Sequence, residues 1–152
     1  MTTLELVVVG VELFSTIALV VSVAFAWRRI VAMQHGHRGQ RLLALVQYLQ
    51  DPEIRACKDH VLHKLEAKPL ADWTEQDHEK ASGFCGAYGT AGMLERLGYV
   101  RIDDLDSYTG SVVRGVEICG DFIRERQQLI PGHWRDLLCL STKLQIRLLG
   151  AE

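Results

Sequence analysis

The stretch "LVVVGVELFSTIALVVSVAFAW", from Leu6 to Trp27, is 22 residues long and carries one charge, Glu12. As a helix rising about 1.5 Å per residue it measures roughly 33 Å, enough to cross the hydrocarbon core of a bilayer. It therefore predicts one transmembrane anchor within residues 1–30, with the lipid bilayer as an obligatory partner. Every Lys and Arg of the chain lies from Arg28 onward, while Glu5 and Glu12 are the only acids before it. Trp27 followed by Arg28 and Arg29 places an interfacial aromatic and fixed positive charge at the C-terminal end of the run. That asymmetry predicts an N-terminus outside and the remainder in the cytoplasm. The competing reading is a cleaved signal peptide, since Ala24-Phe25-Ala26 has the A-x-A form. Against it stand the absent basic n-region, the long apolar stretch and the arginines that follow directly.

Glu12 lies about 9 Å down this helix from Leu6. A carboxylate at that depth is costly unless it reaches the headgroups, is protonated or meets a partner. One reading is a shallow, snorkelling side chain. Another is a contact with an integral-membrane protein or a second copy, helped by the small residues Gly10, Ser15, Ala18 and Ser22.

The connector, residues 31–41, contains "HGHRGQ". His35 and His37 form a potential metal pair, but a basic juxtamembrane stretch beside anionic lipid explains them as well. Beyond it, residues 42–149 read as one cytoplasmic helical domain. "QRLLALVQYLQ" has helical spacing at Leu42, Leu43, Val46 and Leu49. Asp51-Pro52-Glu53 is an N-cap, an N1 proline and a first-turn acid, which opens a helix running to about Ala67. Thr74 to Asp77 has the form of a capping box, with Trp73 placed to staple a helix from Glu75 to about Leu97, stopped by Gly98. A fourth helix is expected from Asp103 or Asp104 to about Gln128, with Val112, Val113, Val116, Cys119 and Phe122 inward. After Pro131-Gly132 a last helix carries Trp134, Leu137, Leu138, Ser141, Leu144 and Leu148 along one stripe. No segment alternates as a strand, so the fold class is all-α: one membrane span, then an antiparallel bundle of about four or five helices.

Within the third helix "ASGFCGAYGTAG" places Gly83, Gly86, Gly89 and Gly92 three residues apart. A phosphate loop or dinucleotide fingerprint needs a different spacing and an upstream strand, and neither is present. The i, i+4 tracks Ser82-Gly86-Thr90 and Gly83-Ala87-Ala91 are entirely small, which predicts a face for close helix packing and makes the four glycines, with Glu12, interface candidates; a small-ligand groove is the alternative. Each glycine costs about 1 kcal/mol against alanine in a helix, so tertiary contacts must compensate.

Other groupings admit plainer readings. Cys57, His60 and His63 step by three along a helix and could join Cys119 or His133 on a zinc ion, but a full four-ligand pattern is missing. Asp103, Asp104 and Asp106 suit helix caps, and Arg124, Glu125 and Arg126 a solvated face. The widely spaced cysteines Cys57, Cys85, Cys119 and Cys139 read as reduced thiols. After the apolar run acids and bases balance, so no nucleic-acid surface is indicated. No catalytic or cofactor motif occurs.

"LLALVQYLQDPEIRACKDHV", "WTEQDHEKA", "YGTAGMLERLGYVRID" and "HWRDLLCL", in that order behind a short span, are similar to an uncharacterised bacterial family of small membrane-anchored helical proteins, a domain of unknown function. The likeness covers roughly residues 40–145. It implies a bacterial inner-membrane anchor and a cytoplasmic helical domain, and it transfers no catalytic residues. These features favour a tethered interaction module, either an accessory subunit of a membrane complex or a homo-oligomer. A membrane-tethered sensor of a metal or small ligand is the alternative, and an enzyme the least supported.

Overall fold

The computed structural model describes residues 39–150. The apolar run 6–27, and with it Glu12, Trp27, Arg28 and Arg29, lies outside the described residues, as does most of the 31–41 connector. Among the described residues no helix is long and apolar enough to cross a membrane. Gln40 opens a compact unit that extends through the rest of the fold.

Among the described residues the fold is entirely helical. Residues 39–49 form α1, so the helix is already under way where the connector was expected. It is followed by α2 (Pro52–Lys64), α3 (Glu75–Arg96), α4 (Thr109–Ile118), α5 (Gly120–Leu129) and α6 (Arg135–Gly150). Short 3-10 turns occupy Leu70–Asp72 and Ile102–Tyr108.

Local chemistry sets most boundaries. Asp51 accepts a hydrogen bond from the Glu53 amide at 2.9 Å, and Pro52 stands in the first turn where its missing N–H costs nothing. The helix ends at Lys64, a turn short of the expected Ala67. Thr74 and Asp77 complete their capping box reciprocally: Asp77 Oδ2 accepts from the Thr74 amide at 2.8 Å, and Thr74 Oγ1 from the Asp77 amide at 3.3 Å. The Trp73 ring lies 5.5 Å from that of His78, spanning the two positions of a staple. Gly98 adopts φ +74°, the left-handed conformation that ends α3.

The single fourth helix expected from Asp103 to Gln128 is a correction. It starts as the 3-10 turn and then breaks at Cys119, whose φ −82° and ψ 4° serve as the C-cap of α4 and the N-cap of α5. Gly110, Gly115 and Gly120 weaken helix propensity there, and buried Cys119 and Phe122 draw the chain inward at the bend.

Helices α2, α3, α6 and α4 form the four sides of a square in that order around the core. Cys57 lies under Gly83 while His60 faces Asp77, so α2 and α3 run antiparallel. Gly89 meets Trp134 and Leu137, Gly92 meets Asp136 and Leu140, and Glu95 meets Lys143, so α3 and α6 climb in the same direction. Across the diagonal, Gly115 of α4 meets Phe84, and the Tyr108 ring at its head lies 6.3 Å from Tyr88, which makes α4 antiparallel to α3. The four sides α2, α3, α4 and α6 alternate in chain order, and α1, like α2, runs antiparallel to α3, but the side-by-side pairs α3/α6 and α2/α4 are parallel. The reason is α5, which folds under the bundle and returns the chain beside α3.

The centre is filled by Phe84, Tyr88, Phe122, Leu65, Leu105, Leu137, Leu140 and Leu144. With its square filled, the bundle takes α1 on the outside, where Leu45 and Leu49 are buried, Leu42 packs against the core and Val46 is half-buried. Leu43, expected inward, is exposed. On α6, Leu140 takes the inward place expected for Leu148, which is exposed, and Trp134 precedes the helix at φ 55°.

Candidate functional site

The four glycines of α3 do not share one neighbour. A Cβ added at Gly92 would stand 2.3 Å from the Asp136 carbonyl oxygen and 2.8 Å from its carbon, so the first turn of α6 rests directly on this backbone. At Gly83 it would meet Cys57 Sγ at 2.8 Å. Gly89 has ordinary contacts with Trp134 and Leu137, at 3.7 and 3.9 Å, and Gly86 has open space. Close packing therefore accounts for Gly83, against α2, and Gly92, against α6. Gly86 and Gly89 instead border a shallow hollow of about 260 Å³ with Met93, Trp134 and Asp136. Among the described glycines the tightest approach lies outside this run: a Cβ at Gly115 would stand 2.2 Å from Phe84 Cζ. Its signal in sequence is slight, one glycine amid the valines of "SVVRGVEI".

A second arrangement missed in the sequence is centred on Asp77. This buried carboxylate accepts from His60 Nε2 at 2.6 Å, Lys68 Nζ at 2.5 Å, the Thr74 amide at 2.8 Å and Thr74 Oγ1 at 2.9 Å. The Lys68 ammonium, the Thr74 amide and His60 together hold its carboxyl far below the usual carboxylate range. Oδ2 takes three of these donors and Oδ1 one, so the carboxylate is engaged chiefly by groups of its own fold. What the cluster does is tie α2, the loop after it and the head of α3 into one unit. Trp73 completes it, donating from Nε1 to the Lys68 carbonyl at 3.0 Å.

Beside this knot a cleft of about 490 Å³ opens between the loop from Leu65 to Trp73 and the α4/α5 bend. Most of its charges are already engaged: Arg114 pairs with Glu66, Lys68 with Asp77, and Asp121 with Arg124 at its rim, while Glu117 also lines it. His60 and Asp77 do not line it. Cys57, His60 and His63 are not assembled as a ligand set, because Cys57 is buried beneath Gly83, His60 is engaged by Asp77 and His63 is exposed. Among the described residues no three His, Cys, Asp or Glu side chains converge as a metal would require. Asp104 caps Arg101, its Oδ2 accepting from that amide at 2.9 Å, while Asp103 and Asp106 pair with Arg147. Arg126 lies over the Phe122 ring at 5.4 Å.

The feature with the character of a binding surface is a groove of about 380 Å³ between α1 and α3. Ala44, Leu45 and Tyr48 form one wall, Thr90 and Leu94 the other, and Arg41 and Tyr99 close the end. Its lining is almost wholly apolar because the one hydroxyl on the α3 wall, Thr90 Oγ1, is turned to its own helix and donates to the Gly86 carbonyl at 3.0 Å. Tyr48 and Tyr99 are exposed, and the Arg41 guanidinium lies 4.6 Å above the Tyr99 ring. Tyrosine and arginine around an aliphatic floor is the composition that marks protein-binding hot spots. Sequence reasoning missed it because Tyr48 and Tyr99 belong to separate elements with no shared periodicity.

No family model, curated protein or solved structure matches this chain.

Proposed function

We propose that the protein is a single-pass, membrane-anchored helical interaction module of the bacterial inner membrane, with its N-terminus outside and its bundle in the cytoplasm. It acts as an accessory subunit of an integral-membrane complex or as a homo-oligomer. The observation that carries the interaction reading is the open apolar groove between α1 and α3. Such a groove takes an amphipathic helix through its apolar face. The anchor itself is supported by the 22-residue run 6–27 and the arginines behind it. In this reading Glu12 and its small neighbours belong to the interface within the membrane. Gly92 has a different duty, the internal seating of α6. The resemblance to small bacterial membrane-anchored proteins agrees with this assignment.

Native mass spectrometry of the full chain, gently extracted from its own membranes, tests the proposal. The expected spectrum contains a stoichiometric partner chain or a defined homo-oligomer, and Tyr48→Glu with Leu94→Glu removes it. A bare monomer for the unaltered protein, under conditions that preserve known membrane complexes, overturns it.

A further inference from the structure

The helices bring four parts of the chain to one end of the bundle. Arg41, at the head of α1, lies over Tyr99, just past the end of α3. Lys143 reaches Glu95 at 2.6 Å, and Arg147 pairs with Asp103 and Asp106, which brings the last turns of α6 to the same place. This is also the end at which the preceding residues, with the apolar run 6–27, join the fold. Between Trp27 and Gly39 lie the eleven residues 28–38, which span at most roughly 38 Å when fully extended.

That end carries large apolar side chains that none of the described residues covers: Leu97 is 50 % exposed, Leu148 53 % and Leu149 72 %, beside exposed Tyr99. A soluble domain has no reason to gather aliphatics at the point where its chain enters. The local acids are engaged, Glu95 by Lys143 and Asp103 and Asp106 by Arg147. Exposed Arg41 and Arg101 stand at the same end. Aliphatic side chains, a tyrosine and arginines are the components that settle in the headgroup layer of an anionic membrane.

We propose that this end of the bundle is a lipid-contact surface. Leu97, Tyr99, Leu148 and Leu149 enter the interfacial layer of the bilayer that holds the anchor, and Arg41 and Arg101 meet lipid phosphates. The inference rests on the anchored reading above. It makes the bundle stand on the membrane by its α1-entry end and gives the groove a fixed orientation along the membrane surface.

The far end supplies an internal control, because Leu129 at the end of α5 is 71 % exposed. The test uses the full chain, one copy per nanodisc containing phosphatidylglycerol, in a Cys139→Ser background. A bimane probe is placed at Leu149→Cys or at Leu129→Cys, and the lipids are brominated high in the acyl chain. The expected result is a fall of roughly half in emission at position 149 and no change at position 129. Arg41→Glu with Arg101→Glu should restore much of the lost emission. Equal emission at the two positions overturns the inference, and would leave a second copy or a partner protein to cover this end. Alkaline carbonate extraction of native membranes separates the two readings. A chain that washes out removes the anchor and this inference together, whereas a retained chain with an unquenched position 149 removes this inference alone.

Discussion

Replacing the α3 glycines one at a time by alanine converts the packing into a ladder of stabilities. Every such change gains about 1 kcal/mol of helix propensity, since alanine restricts the unfolded chain. What differs is the cost of the added methyl. At Gly86 it meets nothing within 4 Å, so the gain stands alone. At Gly89 it makes ordinary contacts with Trp134 and Leu137 and should be neutral or better. At Gly83 it would press on the Cys57 sulfur at 2.8 Å, which can yield by a small rotation. At Gly92 it would stand 2.3 Å from a main-chain oxygen of α6, so that helix must retreat by about 1 Å. Overpacking of this kind costs about 2–3 kcal/mol, leaving a net loss of about 1–2 kcal/mol after the propensity gain. At roughly 4 °C per kcal/mol, Gly86→Ala should raise the Tm by about 4 °C and Gly92→Ala lower it by about 4–8 °C. Thermal unfolding of the full chain in detergent, followed by far-UV circular dichroism, measures both. A Gly92→Ala protein as stable as Gly86→Ala would refute the argument that α6 sits on that backbone.

The remaining predictions concern charge, thiols and topology. Asp77 has a depressed pKa in the folded state. Its stabilisation is therefore complete above the unfolded carboxylate value of about 3.9 and is lost as pH falls below it. Asp77→Asn should flatten the acid limb of the stability profile, and Asp77→Ala should cost about 3 kcal/mol by urea titration, since it strands His60 and Lys68. Cys139 is exposed, whereas Cys57, Cys85 and Cys119 are buried, with Cys85 pushed up by its hydrogen bond to Cys119 and by burial. N-ethylmaleimide should accordingly add once to the native protein and four times in denaturant, as read by intact mass. Arg28→Glu with Arg29→Glu should weaken the orientation bias of the proposed anchor, so that protease outside intact spheroplasts gains access to the bundle in a fraction of molecules.

Much of the helix layout was legible because the relevant signals are local. Asp51-Pro52, Thr74 with Asp77, and Gly98 each act within a turn of their own position, and each stands where its chemistry requires. The break at Cys119 was not legible as a stop, since Gly120-Asp121 is a weak signal and the bend is decided by the burial of Phe122 against Trp73 and Trp134. The inward choice of Leu45 over Leu43 depends likewise on where α3 lies. For the glycines, composition foretold close approach, but the neighbours of Gly83 and Gly92 lie 26 and 44 residues away in sequence, at Cys57 and Asp136. Asp77 was read correctly as a cap, while its partners His60 and Lys68 depend on how α2 folds back.

The groove follows from the same packing rather than from any motif of its own. Gly115 admits Phe84 across the diagonal, and that contact brings α3 and α4 close enough for four helices to fill the core. A helix added to a filled square can bury only one stripe, and α1 does so with Leu45 and Leu49. Its flank, with Ala44 and Tyr48, then faces Leu94 and Tyr99 across an opening that no element of the described fold covers. A change at Gly115 that expels Phe84 should therefore disturb partner binding and stability together. Tyr48→Glu, which leaves the square intact, should affect binding alone.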